Sequence, residues 1–317
     1  MRALTYDGGL SYLGDYAMPR LAGDQALLQL RQAGICNTDL EVVKGYMNYR
    51  GILGHEFVAQ VADGPAEWLG KRVVGEINVA DGTCDLCLRG IPSQCRARTT
   101  IGINGHPGAF ADYLALTARN LHAVPDGVSD DAATFVEPLA AALQVTELAP
   151  IVPSNRVIVI GAGKLGLLIA QVLKLTGADL AVVVRRDRPR ALLERWGIPA
   201  VTLEDLPAER AQVLVDVTGS AEGFASALHL VEPRGTIVLK STYVGLPQAD
   251  LTRVAVKEIT VVGSRCGPFE AALRLLADGL IDTDSLIDAR YSIEDGIRAM
   301  EHSARPGALK VLLSFPG

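Results

Sequence analysis

The sequence predicts a two-domain α/β protein, in which a β-rich domain accompanies a doubly wound parallel sheet. The chain has 317 residues, which is more than one hydrophobic core usually serves, so two domains are expected. Hydrophobic residues make up 49% of the chain and aromatic residues only 5%, a balance that is typical of α/β proteins. The pattern also changes near residue 129, from short strands and turns to an alternation of strands and helices.

Short strands are predicted for the first part of the chain. Runs rich in Val, Leu and Ala are separated by turns that contain Gly, Pro or Asp, as is typical of a β-rich domain. The clearest of these strands are residues 26–30, 57–61 and 72–76.

From Asp130 onward, helices alternate with buried strands. A helix is expected from Asp130 to Leu148, with Pro138 near an early turn or a kink. The apolar run 156–160 is typical of a parallel strand that is buried on both faces. This alternation predicts a doubly wound parallel sheet. The other strands are expected at 180–184, 212–216, 236–239, 259–263 and 309–313, and the other helices at 165–175, 191–196, 224–230 and 270–277.

Charge and hydropathy exclude several classes of function. The net charge of −6 gives no bias toward nucleic acid. No apolar run approaches the roughly 18–20 residues of a membrane span, and the first residues lack the apolar core of a signal peptide. We therefore expect a cytoplasmic protein without nucleic-acid or membrane partners. The five cysteines are odd in number and three lie in one short segment, which favours metal binding over disulfides.

A glycine-rich turn follows the strand 156–160 and opens a helix. It contains Gly161, Gly163 and Gly166 in the spacing Gly-x-Gly-x-x-Gly, with Lys164 and Leu165 between them. Glycines let the backbone approach a pyrophosphate, and the N-terminus of the helix offers free N–H groups to it. The strand–turn–helix setting therefore predicts a Rossmann dinucleotide-binding domain. The alternative is a tight β-α turn without a ligand.

The end of the next strand bears on the choice of cofactor. NAD-binding sites usually carry an acid about 20 residues past the glycines, where it binds the ribose hydroxyls. Here Arg185 stands at the expected position and Arg186 follows it. A guanidinium suits a 2′-phosphate in charge and geometry, so NADP(H) is favoured over NAD(H). The alternative is a solvated basic loop in which Asp187 takes the role of the acid.

Two short motifs near the start of the chain carry metal-binding side chains. The first contains Cys36, Thr38 and Asp39, and the second contains His55 and Glu56. Sulfur, imidazole nitrogen and carboxylate oxygen are ligands that Zn²⁺ accepts. The hydroxyl of Thr38, two residues past the thiolate, points to proton transfer beside a metal. The set predicts a catalytic zinc site, although His55 alone would more often be a structural histidine.

A third cluster has the spacing Asp-x2-Cys-x2-Cys-x7-Cys. Its members are Asp81, Cys84, Cys87 and Cys95. Three thiolates and one carboxylate can complete a tetrahedral structural zinc site, in which a carboxylate should hold the metal less firmly than a thiolate. The alternative is three reduced thiols in a surface loop.

Taken together, these motifs resemble those of the zinc-dependent medium-chain dehydrogenase/reductases, the group of alcohol, sorbitol, threonine and glucose dehydrogenases. The resemblance extends over nearly the whole chain, with the motifs in the same order. Besides those above, it is carried by the runs Gly-Lys-Arg-Val at 70–73, Gly-Ala-Phe-Ala-Asp-Tyr at 108–113 and Val-Glu-Pro-Leu-Ala at 136–140.

The resemblance implies a GroES-like β-rich catalytic domain, formed by residues 1–136 and 267–317, and a Rossmann domain formed by residues 137–266. Cys36 and His55 match the catalytic zinc ligands. Two carboxylates compete to be the third ligand: Glu56, which approaches the zinc in some members, and Glu137, which matches the ligand of polyol, threonine and glucose dehydrogenases. We favour Glu137, with water or Glu56 as the fourth ligand, although Glu137 could simply be a helix-start carboxylate.

The resemblance also implies a reaction. An alcohol would be oxidised reversibly to a carbonyl by NADP⁺, with zinc as the Lewis acid. Thr38 would accept the proton of the substrate and pass it toward the cofactor ribose. Asp39 would orient His55, cap the following helix, or do both. Many simple alcohol dehydrogenases end their proton relay with a histidine at the position of Glu41. The glutamate in this chain makes an identical relay doubtful.

The resemblance also bears on the substrate. A carboxylate ligand at Glu137 implies a polar alcohol, a polyol or a sugar by resemblance. Tyr46, Asn48, Tyr49 and Arg50 could line a pocket or be ordinary loop residues, and the run 240–243 is expected to face the nicotinamide. By resemblance, the chain would form homodimers or homotetramers through a sheet edge near residues 259–263.

Two alternative functions remain compatible with the sequence. One is a zinc-free NADPH-dependent reductase of the same superfamily that retains vestigial ligands. The other is an NADPH-binding redox-sensing protein that uses the cysteine segment as a thiol switch. Metal content distinguishes the first alternative, and turnover of an alcohol distinguishes the second.

Overall fold

The computed structural model describes residues 1–241 and 248–316, which form two compact units. The first unit comprises Met1–Glu137 and Phe269–Gly317, and the second comprises Pro138–Pro268. The sequence-based boundaries, 136/137 and 266/267, differ from these by one or two residues. Thr242 and Tyr243, expected to face the nicotinamide, lie outside the described residues.

The strands and helices are numbered along the chain. The strands are β1 Ala3–Tyr6, β2 Leu10–Leu13, β3 Gln25–Gly34, β4 Gly51–Ile52, β5 Glu56–Asp63, β6 Arg72–Gly75, β7 Asn78–Val79, β8 Thr99–Ile101, β9 Gly105–His106, β10 Tyr113–Thr117, β11 Leu121–Ala123, β12 Arg156–Ile160, β13 Asp179–Val183, β14 Ala200–Val201, β15 Ala211–Asp216, β16 Val231–Leu239, β17 Thr260–Gly263, β18 Ile287–Ser292 and β19 Lys310–Ser314. The helices are α1 Asn37–Val43, α2 Asp85–Leu88, α3 Asp130–Ala133, α4 Val136–Leu148, α5 Lys164–Lys174, α6 Asp187–Arg195, α7 Ala221–Leu230, α8 Leu251–Val256, α9 Phe269–Ala277 and α10 Gly296–Ser303.

The main sheet of the first unit joins the two ends of the chain. Its strands follow the order β11-β6-β5-β3-β19-β18, and β10 also pairs with β3. Strand β3 lies between β5 and β19 and is antiparallel to both. The core of this unit is built from alternating inward-facing side chains, such as Leu28 and Leu30 of β3, and from the buried ring of Phe110. The C-terminal tail is therefore an integral part of this unit.

The second unit contains a parallel sheet with the strand order β14-β13-β12-β15-β16-β17. Strands β13 and β15 flank β12 on opposite sides, so the strand order reverses at β12, as in a doubly wound sheet. Four of the five residues of β12 are buried, which explains its continuous apolar sequence. The carboxyl ends of β12 and β13 carry the glycine turn and Arg185 respectively.

One predicted helix is divided in the structure. The sequence predicts a continuous helix from Asp130 to Leu148, but α3 ends at Ala133 and α4 begins at Val136. Pro138 lacks the N–H that would bond to the carbonyl of Thr134 in a continuous helix. In α4 it stands in the first turn, where that N–H is not needed. The break places Glu137 at the start of a new helix.

Within residues 1–241 and 248–316, no helix combines the length and the apolar character that crossing a bilayer requires.

Candidate active site and cofactor site

The residues of the two metal motifs meet because three neighbouring strands begin or end at the same edge of the main sheet. Strand β3 ends at Gly34, two residues before Cys36, whereas β5 begins at Glu56 and β19 begins at Lys310. Gly34 is paired with Glu56 on one side and with Leu312 on the other. Antiparallel pairing therefore brings together side chains that are far apart in the sequence.

Cys36 is fixed by the N-terminus of α1, where it is the N-cap residue. Its Sγ accepts a bond from the backbone N–H of Thr38 at 3.5 Å and lies 3.7 Å from Thr38 Oγ1. The carboxylate of Asp39 completes a capping box, because it accepts a bond from the backbone N–H of Cys36 at 2.8 Å. The sulfur is thus held beside the hydroxyl by local backbone geometry.

Asp39 is completely buried and also contacts the second motif. Its Oδ1 accepts a bond from the backbone N–H of Gly54 at 3.2 Å and lies 3.2 Å from Nδ1 of His55. The contact to Nδ1 does not have hydrogen-bond geometry. Burial lowers the pKa of His55, but the charge of Asp39 and the contacts with Asp39 and Cys36 raise it more, so the pKa is well above its usual value.

Cys36, His55 and Glu56 form a cluster that could hold a metal ion. One ligand atom from each lies within 4.8 Å of the others. Sulfur, nitrogen and oxygen donors together suit Zn²⁺, and His55 and Glu56 are buried, so this donor set fits a zinc ion. Glu137 is not part of this cluster, but its charge helps to raise the pKa of the nearby Lys310.

Lys310 is the site residue that the sequence-based argument missed. Its side chain is 3% exposed, and its Nζ donates to Oε2 of Glu56. Burial lowers the pKa of Lys310, but the charges of Glu56 and Cys36 raise it more, so the ammonium remains protonated. The one signal in the sequence is a charged residue at the start of the apolar run 309–313.

The second cluster of possible ligands consists of Asp81, Cys84, Cys87 and Cys95, whose ligand atoms lie within 4.8 Å of one another. Cys84 Sγ is 3.5 Å from Cys87 Sγ and 3.9 Å from Cys95 Sγ. Backbone N–H bonds from Thr83 and Cys84 lower the pKa of Asp81 to about 2. Backbone N–H bonds, from Arg96 first, lower the pKa of Cys84 to about 7. Burial and the neighbouring thiols raise the pKa of Cys87 to about 12. The carboxylate of Asp81 and the readily ionised thiol of Cys84 are therefore the two groups best prepared to bind zinc.

The glycine turn has the geometry of a phosphate-binding loop. Gly161 has a φ of 112°, which disfavours residues with a side chain, and a Cβ at Gly166 would lie 2.0 Å from the carbonyl oxygen of Gly161. Helix α5 begins directly after Gly163, so its first N–H groups face the turn.

A cavity of about 430 Å³ opens at the end of β13, within the second unit. Basic and acidic side chains share its lining: Arg185, Arg186, Arg190, Asp187 and Glu204. The charge of Arg185 contributes to lowering the pKa of Glu204 and of Glu222, after local hydrogen bonds, so both carboxylates lie within its electrostatic reach. Three guanidinium groups against two carboxylates leave the lining with an excess of positive charge.

The other sequence-based candidates occupy two different places. Asn48, Tyr49 and Arg50 line a separate cavity of about 360 Å³ in the first unit, whereas Tyr46 packs against the core. In the second unit, Lys240 is buried, and its Nζ donates at 2.7 Å to the carbonyl oxygens of Ala141 and Arg265.

Two family models match the chain and together cover most of it. The alcohol dehydrogenase GroES-like domain matches residues 22–126, and the zinc-binding dehydrogenase domain matches residues 165–278. The chain belongs to the zinc-dependent medium-chain dehydrogenase/reductase family.

The similarity between this dehydrogenase and known proteins extends over most of its length. L-galactonate-5-dehydrogenase of Escherichia coli (strain K12) is 29% identical, and the match covers 86% of each chain. L-threonine 3-dehydrogenase of Escherichia fergusonii is 28% identical, and the match covers 96% of each chain. A solved structure from Sinorhizobium meliloti 1021, described as a zinc-binding dehydrogenase bound to NADP, has a TM-score of 0.91 at 26% identity and covers 99% of both chains.

These similarities confirm the predicted fold class and the predicted type of enzyme. The dehydrogenase combines a GroES-like domain with a Rossmann-type domain. It is a zinc-type, NAD(P)-dependent dehydrogenase of the alcohol and polyol group.

Proposed function

We propose that this dehydrogenase prefers NADP(H) to NAD(H) and oxidises a hydroxyl group of a polar alcohol, a polyol or a sugar. The observation that carries the cofactor preference is the basic lining of the cavity at the end of β13. Arg185 occupies the position where NAD-binding sites usually have an acid, and Arg186 and Arg190 line the same cavity. A guanidinium can bind a 2′-phosphate through two parallel hydrogen bonds.

The proposed catalytic zinc ligands are Cys36 and His55 with one carboxylate, for which Glu137 is favoured and Glu56 is the alternative. Zinc bound there would supply Lewis acidity toward the substrate oxygen. The ion pair between Glu56 and Lys310 supports Glu137, because it engages the competing carboxylate. We further propose that Asp81, Cys84, Cys87 and Cys95 hold a structural zinc, whose ligand atoms are already gathered within 4.8 Å.

In the proposed reaction, the Thr38 hydroxyl receives the proton that leaves the substrate hydroxyl and passes its own proton on toward the cofactor ribose. Its closeness to Cys36 Sγ, at 3.7 Å, supports this role, since the proton has to leave a hydroxyl that lies near the metal ligands. Asp39 positions Cys36 and the loop that carries His55.

Two relatives support a polar substrate. Their names, L-galactonate-5-dehydrogenase and L-threonine 3-dehydrogenase, describe the oxidation of hydroxyl groups in polar molecules. Both relatives are below 30% identity, so we propose the class of substrate and not a particular compound.

The direct test is a kinetic screen of zinc-replete enzyme with NADP⁺ and NAD⁺. The panel would contain polyols, sugars, amino alcohols and simple alcohols. We expect the highest kcat/KM with NADP⁺ and a polar alcohol. A higher kcat/KM with NAD⁺, or with a simple alcohol, would contradict the corresponding half of the proposal.

We also propose that the enzyme forms a homodimer or a homotetramer through the edge strand β17. Three of its four residues are exposed, including Val261 at 39%, and β17 pairs only with β16 among the described strands. Light scattering should give two or four chains per particle, and the substitution Val261→Lys should lower that number. A monomeric wild-type enzyme would rule out this arrangement.

A further inference from the structure

The buried ammonium of Lys310 lies among negatively charged side chains. Glu56, Cys36 and Glu137 are near enough for their charges to act on it, and the side chains of Lys310 and Glu56 are only 3% and 1% exposed. Its Nζ donates to Glu56 Oε2 and lies 5.7 Å from the centre of the Phe135 ring, a cation–π distance. Lys310 is therefore the cationic partner of a buried anionic cluster.

The pairing of Lys310 with Glu56 follows from the register of three strands. The central strand β3 ends in Gly34, with β5 on one side and β19 on the other. A Cβ at Gly34 would lie 2.5 Å from Glu56 Oε2 and 3.2 Å from Lys310 Cδ. The missing side chain at Gly34 thus leaves the space in which the two long side chains meet.

Glu56 has two possible cationic partners in this arrangement. Its carboxylate is in the group whose ligand atoms lie within 4.8 Å of one another, so it can serve a metal ion held by Cys36 and His55. It is also paired with Lys310. A buried carboxylate that lost one cation would be drawn to the other, because an unpaired buried charge is costly.

We propose that Lys310 is a positioning residue for the catalytic metal: its ammonium holds the Glu56 carboxylate and keeps it out of the metal's ligand set. The coordination position that Glu56 would take is thereby left to Glu137 and the substrate. This inference rests on the proposed zinc site.

The test measures metal release and not only turnover. Wild-type enzyme, Lys310→Met and Lys310→Arg would be loaded with Co²⁺, and the release of the metal to a chelator would be followed in the visible spectrum. Cobalt is expected at two sites, and only the catalytic site includes Cys36. The phase of cobalt release that is absent from Cys36→Ser therefore belongs to the catalytic site. Lys310→Arg is the matched control because it keeps the positive charge.

In Lys310→Met, we expect the catalytic-site phase to slow by about tenfold or more, with an altered cobalt spectrum, because Glu56 becomes an additional anionic ligand. We also expect kcat/KM to fall by about tenfold or more, since the position for substrate is then occupied. Adding Glu56→Gln to Lys310→Met should restore wild-type release, whereas Lys310→Arg should resemble wild type throughout. A purely structural role of Lys310 would instead make release faster.

Unchanged or faster release in folded Lys310→Met would overturn the inference. If Lys310→Met does not fold, Lys310→Gln takes its place, because an amide can still donate to Glu56 without carrying charge. We then expect Lys310→Gln to release cobalt more slowly than Lys310→Arg. Equal rates of release from these two variants would overturn the inference. The proposed zinc site itself fails if wild-type enzyme shows no cobalt phase that depends on Cys36. The two failures are therefore distinguishable.

Discussion

Asp39 Oδ1 lies 3.2 Å from Nδ1 of His55, while the same carboxylate caps the backbone N–H of Cys36. One completely buried side chain thus touches both halves of the proposed catalytic metal site. The bond from the Gly54 N–H to Asp39 ties the second motif to the first turn of α1, where the first motif lies.

The substitution Asp39→Asn should therefore weaken metal binding while the fold persists. The amide keeps the size of the carboxylate but removes its charge and one acceptor oxygen. We expect a loss of about 10- to 100-fold in zinc affinity, measured by competition with a chelator. Glu41→Gln, on the same helix, is the control and should bind zinc as wild type does. Equal affinity in both variants would show that Asp39 only caps the helix.

Thr38→Val tests the proposed path of the substrate proton. Valine has nearly the same shape but no hydroxyl, so kcat should fall by about 10²- to 10⁴-fold. Zinc content and cofactor affinity should not change, which metal analysis and fluorescence titration would show. Thr38→Ser, which keeps the hydroxyl, should retain most of the activity. Turnover close to normal in Thr38→Val would remove Thr38 from the mechanism.

Arg185→Asp tests the cofactor preference. A charge-assisted bond to a phosphate contributes about 1.5–3 kcal/mol, so kcat/KM for NADP⁺ should fall by about 10- to 100-fold. The value for NAD⁺ should rise, because a carboxylate can accept bonds from the ribose hydroxyls. Arg188→Asp is the charge-matched control, since Arg188 is exposed and does not line the cavity. Equal losses in the two variants would point to overall charge and not to a phosphate contact.

Substitutions at Asp81 test the proposed structural zinc. Asp81→Ala should lower the zinc content from about two to about one ion per chain, whereas Asp81→Cys should hold the second ion more firmly than wild type. Mass spectrometry of the native protein, before and after a chelator, measures both quantities. Asp85→Ala is the control, because Asp85 pairs with Arg96 and is not a member of the ligand cluster. About one zinc ion per chain in all three variants would mean that this segment binds no metal, and about two in all three would mean that Asp81 is not one of its ligands.

The sequence predicts the strands that carry the site better than it predicts their mutual placement. The strands around 26–30 and 57–61 and the glycine turn are evident from local patterns, because each depends on a few neighbouring residues. The pairing of β19 with β3 depends on residues from opposite ends of the chain. Lys310 was missed for that reason, since its significance lies in a distant carboxylate.

The division between α3 and α4 shows the same limit on a smaller scale. Pro138 marks a possible kink in the sequence, yet a proline in a first turn and a proline inside a bent helix look alike there. The structure distinguishes them, because α3 ends at Ala133 and α4 begins at Val136.

The pairing of β19 with β3 in the main sheet of the first unit also affects how the enzyme folds during translation. Glu56 and Lys310 are 254 positions apart in the chain. A chain that leaves the ribosome N-terminus first therefore exposes Cys36, His55 and Glu56 long before their cationic partner is synthesised. Contacts between residues so far apart form late, because closing a long loop has to precede them. Translation thus has to proceed 254 residues beyond this buried carboxylate before the chain itself can neutralise it.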